Sequence, residues 1–274
     1  MVESRMINIG CGAVHHPEWI NLDVHSTDPH VLNVDISGGL PFPSGFAAAC
    51  YSSHVLEHFD VDGARHLVTE CFRVLRRGGV IRLVVPDLEM LAREYLKTLD
   101  AVVSDDSTGE SDYDWLMLEL FDQTVRDFSG GRMARFLAGL AENNRAFVRA
   151  RIGAEAEKFW LSQPTVPAIF IGKSPSRLIR RGRELLAGWL VRLIAGKAAQ
   201  ISFHKGLFRD SGEVHQWMYD RFSLKRLLEQ AGFVNVKICS AGESRIPEYG
   251  KYALDVSDGK ARKPDSLYIE SSKP

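Results

Sequence analysis

The sequence has few cysteines, and none of them form a C-x-x-C pair. Its 274 residues contain four, which are widely spaced: Cys11, Cys50, Cys71 and Cys239. This spacing is unlike that of a disulfide scaffold or a zinc knuckle and is typical of a protein kept in a reducing compartment. We therefore expect a cytoplasmic protein.

The sequence also lacks a hydrophobic run long enough to cross a bilayer. The longest apolar stretch covers residues 185–196 and contains Arg192, whereas a spanning helix needs about 20 apolar residues. Strand-like sequence begins at Met6, so we expect no signal peptide.

The sequence also lacks an excess of positive or negative charge. The formal net charge is -1, with 25% charged residues, so nucleic acid is not the expected partner. One local exception is the segment 173–205, which carries eight Lys/Arg against one Asp/Glu. This basic block would suit an anionic partner.

What the sequence does have is an alternation of strand and helix patterns. We predict strands over 6–9, 19–24, 31–35, 47–53, 79–85, 233–239 and 266–270, and helices over 63–75, 88–96 and 223–230. Arg76-Arg77-Gly78-Gly79 is expected to close the helix over 63–75 with cations and a glycine stop. Strands that alternate with helices favour an α/β fold with a mostly parallel, Rossmann-like sheet.

The alternation is interrupted in the middle of the chain. Residues 115–160 and 177–197 have helical periodicity without strand signals. We therefore predict one catalytic α/β domain, 1–100 and 206–274, with a mainly helical insertion, 101–205. A long insertion of this kind commonly serves as a lid or a substrate wall.

The segment Met6–Gly12 joins a short apolar strand to a Gly-x-Gly turn, Gly10-Cys11-Gly12. The next strand-like run ends in a carboxylate, Asp23. Glycines allow close approach of the backbone to a ligand, and a carboxylate at the neighbouring strand tip accepts both ribose hydroxyls. The order is typical of a site for a nucleotide-like ligand.

Further motifs follow in a fixed order. They are Val34-Asp35-Ile36 with Leu40-Pro41-Phe42-Pro43, then Ser52-Ser53-His54-Val55-Leu56-Glu57-His58, then Phe72-Arg73-Val74-Leu75-Arg76-Arg77-Gly78-Gly79. Over residues 6–87 this string resembles the class I S-adenosylmethionine-dependent methyltransferases, in particular the small-molecule, methyltransferase type 11 group. A weaker match continues through 222–233.

The resemblance implies the cofactor S-adenosylmethionine and a set of binding residues. The backbone of Gly10, Cys11 and Gly12 would hold the methionyl end, and Asp23 with Val24 would meet the ribose. Asp35 and Ile36 would meet the adenine. Ser52, Ser53 and His54, at the tip of the fourth strand, would border the methyl group.

The chain departs from the sequence pattern of that family at three residues and in the length of the first crossover. Asn8 stands where an acidic residue is usual, Val14 where a third glycine is common, and Ala47 where an Asp often begins the fourth strand. Only residues 13–18 connect the glycine turn to the second strand, and six extended residues reach about 20 Å. We therefore expect the first crossover helix to be missing and the insertion to cover that side instead.

Methyl transfer to a hydroxyl needs a base, and the candidates are His58 and Asp87. Asp87 follows a strand tip, although it would equally serve as the N-cap of the next helix. His54-Val-Leu-Glu57-His58 also matches the zinc-hydrolase pattern H-x-x-E-H. That pattern normally lies within a helix, whereas here it follows a strand, so we expect no metal. Glu57 and His58 alternatively cap a helix start.

The sequence gives fewer signals for the residues that would bind the methyl acceptor. His204, His215, Trp217 and Tyr219 lie where the chain re-enters the α/β domain and are candidates for an acceptor pocket or for an ordinary aromatic patch. Helix 177–197 combines basic residues (Arg177, Arg180, Arg181 and Arg183) with an apolar Trp/Leu side. It would serve as a lid or dimer helix, or as a peripheral contact with an anionic membrane.

These observations lead to a prediction of methyl transfer from S-adenosylmethionine to a small-molecule, glycan or lipid-linked acceptor. A nicotinamide-dependent oxidoreductase is disfavoured, because Asp23 follows the glycines too soon and the chain has no Tyr-x-x-x-Lys pair. A cofactor-binding protein without catalysis stays open, because Asn8 and Val14 depart from the pattern.

Overall fold

A computed structural model describes residues 5–104, 109–161 and 175–274. Its strands are β1 (Met6–Ile9), β2 (Ile20–Asp23), β3 (Val31–Asn33), β4 (Ala47–Ser53), β5 (Leu75–Pro86), β6 (Val234–Cys239), β7 (Val256–Ser257), β8 (Lys260–Ala261) and β9 (Ser266–Ser272). Seven of them form one sheet in the order β3-β2-β1-β4-β5-β9-β6, in which β9 is antiparallel to both neighbours and the other pairs are parallel. The predicted Rossmann-like, mostly parallel α/β fold is confirmed.

The helices are α1 (Val61–Val74), α2 (Leu88–Val103), α3 (Glu110–Val125), α4 (Gly131–Gly139), α5 (Arg145–Ile152), α6 (Ala154–Leu161), α7 (Pro175–Arg209) and α8 (Arg221–Gln230). Aspartates begin three of them, because their carboxylates accept the free backbone N–H groups of the first turn. Asp60 caps α1, Asp87 caps α2, and Asp220 with Ser223 forms a capping box on α8.

The fifth strand begins earlier than the sequence predicts. Helix α1 ends at Val74, and Leu75 is already extended and paired with Ala47. The register then shifts between Ala47 and Ala49, so Arg76–Gly79 form an irregularity within β5. Gly78 has a φ of 73°, which glycine adopts without strain. The expected helix-closing loop over 76–79 is therefore wrong.

The first crossover contains no helix, as predicted. Residues 10–19, all of them described, form turns, and β1 pairs directly in parallel with β2. The segment between β6 and β7 covers the sheet face there, placing Ile246, Tyr249, Tyr252 and Leu254 against Trp19 and Tyr51. Ala154, Glu155 and Lys158 of the insertion line a cavity beside the glycine turn.

Arg82 of β5 organises that face. Its guanidinium is fully buried and lies 2.7 Å from Asp255 and 2.9 Å from Glu270. It also donates to the backbone carbonyls of three residues in the covering segment, Ser240, Ala241 and Glu243. Its five N–H donors thus have five acceptors, which makes this burial of a charge tolerable.

The other face of the sheet is covered by α1 and α8. Side chains at alternate positions of β5, namely Ile81, Leu83 and Val85, join the aliphatic core on this side. Leu224, Leu227 and Leu228 of α8 pack against the same core. Alternation along the strand therefore separates an aliphatic face from the Arg82 face.

Residues 109–161 and 175–209 are mainly helical. Trp115, Leu137, Leu140, Val148 and Ala156 form a small core of their own. Helix α7 is longer than predicted and consists of two segments that meet at Gly196 (φ 85°, ψ 178°). Gly188 lies against His204, so the second segment folds back on the first. The side chains of Arg177 and Arg180 lie outside the described residues. None of the helices in the described ranges has the length and hydropathy needed to cross a membrane.

Candidate active site

The glycine turn follows β1 and is sterically fixed. Gly10 has a φ of 65°, and a Cβ on it would lie 2.3 Å from Cγ2 of Val55. Gly12 has a φ of 52°, but a Cβ there would meet no atom within 4 Å. Gly10 is therefore required by packing, whereas Gly12 borders open space suited to a ligand.

Asp23 lies beside this turn, as the sequence predicts. Its two carboxylate oxygens accept the backbone N–H groups of Gly12 at 2.8 Å and His25 at 3.1 Å. An ionised carboxylate has about four lone-pair sites, so each oxygen retains capacity for a ligand hydroxyl. The Gly12 amide, in contrast, is already engaged by Asp23. Val24 is 47% exposed at the same edge.

Asp35 begins a short 3-10 turn, Ile36–Gly38. Its Oδ1 accepts both the N–H and the hydroxyl of Ser37, and these bonds lower the pKa of the carboxyl. Ile36 is buried in the core. Asp35 is thus ionised at neutral pH, while Ile36 faces the interior.

A cavity of about 310 Å³ opens beside the glycine turn. It lies between the ends of β1 and β4, where the strand order reverses and where open α/β sheets bind ligands. Residues from three parts of the chain line it: Asn8, Gly10–Val14, Tyr51, Ser53, His54, Ala154, Glu155, Lys158, Leu254, Asp255, Arg262, Lys263 and Tyr268. We call it the first cavity.

The first cavity brings together some of the predicted cofactor residues and not others. Gly10, Cys11, Gly12, Ser53 and His54 line it. The remaining five, Asp23, Val24, Asp35, Ile36 and Ser52, lie outside its lining. Asp23 adjoins it through its hydrogen bond with Gly12 N, which lies in the lining.

A second, smaller cavity of about 70 Å³ adjoins the first. His54, Glu155 and Lys263 belong to both cavities. The rest of its lining is rich in charge and includes Asp87, Glu119, Arg151 and Asp265, together with Met133 and Met218. A polar ligand in the second cavity would thus lie beside a ligand in the first.

Two carboxylates of the second cavity differ in their surroundings. Asp87 caps α2 by accepting from Met90 N at 3.1 Å. Burial and the nearby Glu119 carboxylate raise the pKa of Asp265 to about 7. A carboxylate with a pKa near 7 is well matched to proton transfer at neutral pH.

His54 stands at the junction of the two cavities. Its backbone is left-handed (φ 54°), and its Nε2 lies 2.8 Å from the Ser266 hydroxyl. Burial holds the pKa of the imidazole well below its usual value, so the ring is neutral. The Ser52 hydroxyl is buried and has no hydrogen-bond partner among the described residues.

His58 lies in a different cluster. It packs edge-on against His215, with ring centroids 4.8 Å apart, next to the buried carboxyl of Glu57. Ligand atoms of these three residues lie within 4.8 Å of one another. Burial raises the pKa of Glu57 to about 8 and lowers that of His215 to about 3. The converging groups are thus not the His54 and His58 pair of the H-x-x-E-H pattern.

The other predicted acceptor residues lie outside both cavities. His204 is on α7, and Trp217 is 47% exposed. Tyr219 is buried in the aliphatic core, and its carbonyl accepts from Leu88 N next to Asp87.

Several cavity residues were missed in the sequence. Glu119, Arg151, Glu155 and Lys158 belong to the helical insertion, whose packing no motif reveals. Asp265 had one usable signal, because it directly precedes β9. A strand antiparallel to its neighbours starts at the edge where the parallel strands end.

Residues 7–83 match the family model for a methyltransferase domain. The matched segment runs from β1 to β5 and contains the glycine turn, Asp23, Asp35 and His54. The fold agrees, since the seven-stranded sheet has its topological switch point at this turn. The match covers 77 of the 274 residues and, together with the sheet topology, supports a methyltransferase that uses S-adenosylmethionine as its cofactor.

One solved structure similar to this chain is a SAM-dependent methyltransferase from Archaeoglobus fulgidus, with 11% sequence identity and a TM-score of 0.39. The alignment covers 98% of this chain and 86% of that one. A SAM-dependent methyltransferase from Thermotoga maritima, described as a possible histamine N-methyltransferase, has 15% identity, a TM-score of 0.40, and coverage of 100% and 84%. No curated protein matches the chain. The methyltransferase assignment rests on the match over residues 7–83 and on the sheet topology of this chain.

The first cavity suits the methionyl end of this cofactor, which is zwitterionic. Its wall offers a carboxylate, Glu155, and cations at Lys158 and Arg262. Opposite charges on one ligand are best met by a wall that carries both signs.

Proposed function

We propose that this methyltransferase transfers a methyl group to a hydroxyl of a polar small-molecule, saccharide or lipid-linked acceptor bound in the second cavity. The observation that carries the proposal is the shared wall of the two cavities at His54, Glu155 and Lys263. In-line displacement depends above all on alignment of the two reactants, and two adjoining cavities provide it.

In this arrangement Gly10–Gly12 and Asp23 hold the cofactor, with Asp35 at the adenine end. The bound cofactor supplies an electrophilic methyl group on a sulfonium. A carboxylate of the second cavity would take the proton of the acceptor hydroxyl, whose oxygen would receive that methyl group. Neutral His54 and the Arg151 guanidinium orient the acceptor by hydrogen bonds.

Asp265 is the proposed base, with Asp87 as a second candidate in the same cavity. A carboxyl with a pKa of about 7 both accepts and releases a proton near neutrality. His58, predicted from the sequence as the alternative base, does not line either cavity.

A methyl-transfer assay with labelled cofactor and cell-extract fractions tests this proposal. Small metabolites, glycans and lipid-linked saccharides are offered separately to the wild type and to Asp265→Asn. We expect label in one polar fraction and a loss of about 100-fold or more in kcat for Asp265→Asn, because general-base catalysis contributes roughly 10²–10⁴-fold. Asp258→Asn, in the exposed β7–β8 turn, is the matched control. Transfer to an apolar acceptor, or full activity in Asp265→Asn, contradicts the proposal.

We further propose that α7 contacts an anionic membrane surface on the cytoplasmic side. Its first segment exposes Leu185, Leu186, Trp189, Leu190, Leu193 and Ile194, each at least 41% accessible. Arg181, Arg183, Arg192 and Lys197 are exposed on the same helix. Apolar residues flanked by cations on one helix suit the boundary between headgroups and acyl chains.

Vesicle co-sedimentation tests this surface. We expect binding to vesicles with anionic lipid, weaker binding to neutral ones, and loss of binding in a Trp189→Ser/Leu193→Ser variant. Val125→Ser, which changes a 65% exposed residue of α3, serves as the control. Equal sedimentation of the double variant and the wild type contradicts a membrane role for α7.

A further inference from the structure

A cluster of three potential metal ligands lies beside the two cavities and takes no part in the proposed transfer. Glu57 and His58 belong to the 3-10 turn Leu56–His58 that follows β4. His215 comes from the segment that leads from α7 to α8. Their ligand atoms lie within 4.8 Å of one another.

The backbone holds these two segments together before any ligand binds. Gln216 N donates to the Glu57 carbonyl at 2.7 Å, and His215 N donates to Gln123 O at 2.9 Å. The Gln216 side chain donates to the His58 carbonyl at 3.0 Å. The three side chains therefore converge on a fixed frame, which lowers the cost of assembling a binding site.

The carboxyl group of Glu57 is buried without a hydrogen-bond partner in the described part of the chain. It is only 1% exposed, and neither of its oxygens has a hydrogen-bond partner among the described residues. The His54 Nδ1 atom lies 3.5 Å away, beyond good hydrogen-bond geometry. A buried carboxylate is costly unless it is paired or coordinates a metal ion, so this group lacks the partner that its position calls for.

The donor set defines the chemistry of that partner. His58 Nδ1 lies 3.3 Å from the Val214 carbonyl, and a tautomer that donates there leaves Nε2 unprotonated. Histidine metal ligands are commonly oriented by such a bond from the other ring nitrogen. Two imidazoles and one carboxylate suit Zn²⁺ and similar divalent first-row ions better than Mg²⁺ or Ca²⁺, which prefer oxygen ligands.

We propose that Glu57, His58 and His215 bind one divalent transition-metal ion of the Zn²⁺ type. Through it the turn after β4 is cross-linked to the segment that returns from the helical insertion. Three protein ligands leave at least one coordination position for a water molecule or another small ligand. This site is independent of the proposed acceptor and differs from the H-x-x-E-H arrangement, because His215 takes the place of His54.

The proposal is tested by metal binding to the full chain, produced without a histidine tag and stripped with a chelator. Calorimetric titration with Zn²⁺ is expected to show one ion per chain, with a Kd below about 10 µM. Glu57→Gln and His215→Gln are expected to bind at least about 100-fold more weakly, because each removes one of three ligands. His66→Gln, an exposed histidine on α1, is expected to bind like the wild type.

Glu57→Gln keeps the side-chain shape and breaks no hydrogen bond, so its fold is expected to persist, and circular dichroism checks this. Should a variant unfold, Co²⁺ added to the wild type gives a second readout, namely visible ligand-field absorption from nitrogen coordination. Absence of that absorption, absence of stoichiometric Zn²⁺ binding, or wild-type affinity in folded Glu57→Gln and His215→Gln overturns the proposal. Each result is independent of whether the acceptor assignment holds.

Discussion

The two faces of the central sheet are closed by different means. On one face, α1 and α8 pack aliphatic side chains against β1, β4 and β5. On the other face, where the first crossover has no helix, an irregular segment with Tyr249 and Tyr252 is held by the buried ions Arg82, Asp255 and Glu270.

The comparison shows how a missing helix is replaced. An irregular segment exposes backbone carbonyls, which must be paired when it covers a core. Arg82 donates to three of them and is neutralised by the two carboxylates. Tyr51 and Tyr249 donate their hydroxyl groups to Asp255, which joins this network to the wall of the first cavity. The two faces therefore differ in how they respond to substitution.

The largest effect is expected for Arg82→Met. It leaves Asp255, Glu270 and three carbonyls buried without their common donor, and breaking a buried ion pair costs about 3–5 kcal/mol. Urea denaturation measures the loss, and Arg93→Met, at a 73% exposed side chain, is the control with a change below about 0.5 kcal/mol. A loss below about 1 kcal/mol for Arg82→Met contradicts the role given to this network.

A smaller loss of folding stability is expected for Leu224→Ala, on the sheet face that α1 and α8 cover. Leu224 is fully buried, and truncation of a buried leucine costs about 3 kcal/mol through lost burial and a cavity. Leu96→Ala, at a 57% exposed position of α2, is the matched control for the same denaturation experiment. If both variants are equally stable, α8 does not close this face as described.

The smallest expected effect is a pH dependence of folding stability, which arises from Glu70 and Arg73 of α1 on the sheet face covered by α1 and α8. Arg73 binds Glu70 at 2.7 Å, and the same two residues bond the backbone of Leu40 and Phe42. Hydrogen bonds from Arg73 lower the pKa of Glu70 from 4.5 to about 2. The ionised form is thus favoured by folding, so its stabilisation is full above about pH 4.5 and is lost as the pH falls towards 2.

Unfolding of the wild type and of Glu70→Gln at several pH values tests this. The difference in stability is expected to be present at pH 7 and to shrink between pH 5 and 3. A difference that stays constant over that range would show that Glu70 acts through packing rather than through its charge.

The sequence predicted the first half of the fold well because its signals are local. Strands β1 and β4 have the predicted bounds, and Asp23 bonds Gly12 across only 11 positions. The motif Leu40-Pro41-Phe42-Pro43 has a structural reason as well, since Glu70 of α1 and Arg73 of the Phe72–Gly79 motif bind its backbone.

The second half of the fold and most of the cavity lining depend on contacts between residues that are distant in sequence. Arg82 pairs with Asp255 and Glu270, which are 173 and 188 positions away. The cavity residues Glu119, Arg151 and Glu155 depend on the packing of the insertion helices, and His215 meets His58 only after that insertion returns. No periodicity or spacing in one sequence encodes such pairings. The cofactor roles of Gly10–Gly12, Asp23 and Asp35 stay predictions.

The most direct measurement is calorimetric titration of wild type and Asp23→Ala with S-adenosylhomocysteine and with NADH. We predict micromolar-range binding of S-adenosylhomocysteine alone, weakened at least about tenfold in Asp23→Ala because a charge-assisted hydrogen bond contributes roughly 1.5–3 kcal/mol. Unchanged affinity in Asp23→Ala, or tight binding of NADH, would contradict a cofactor site between the glycine turn and Asp23.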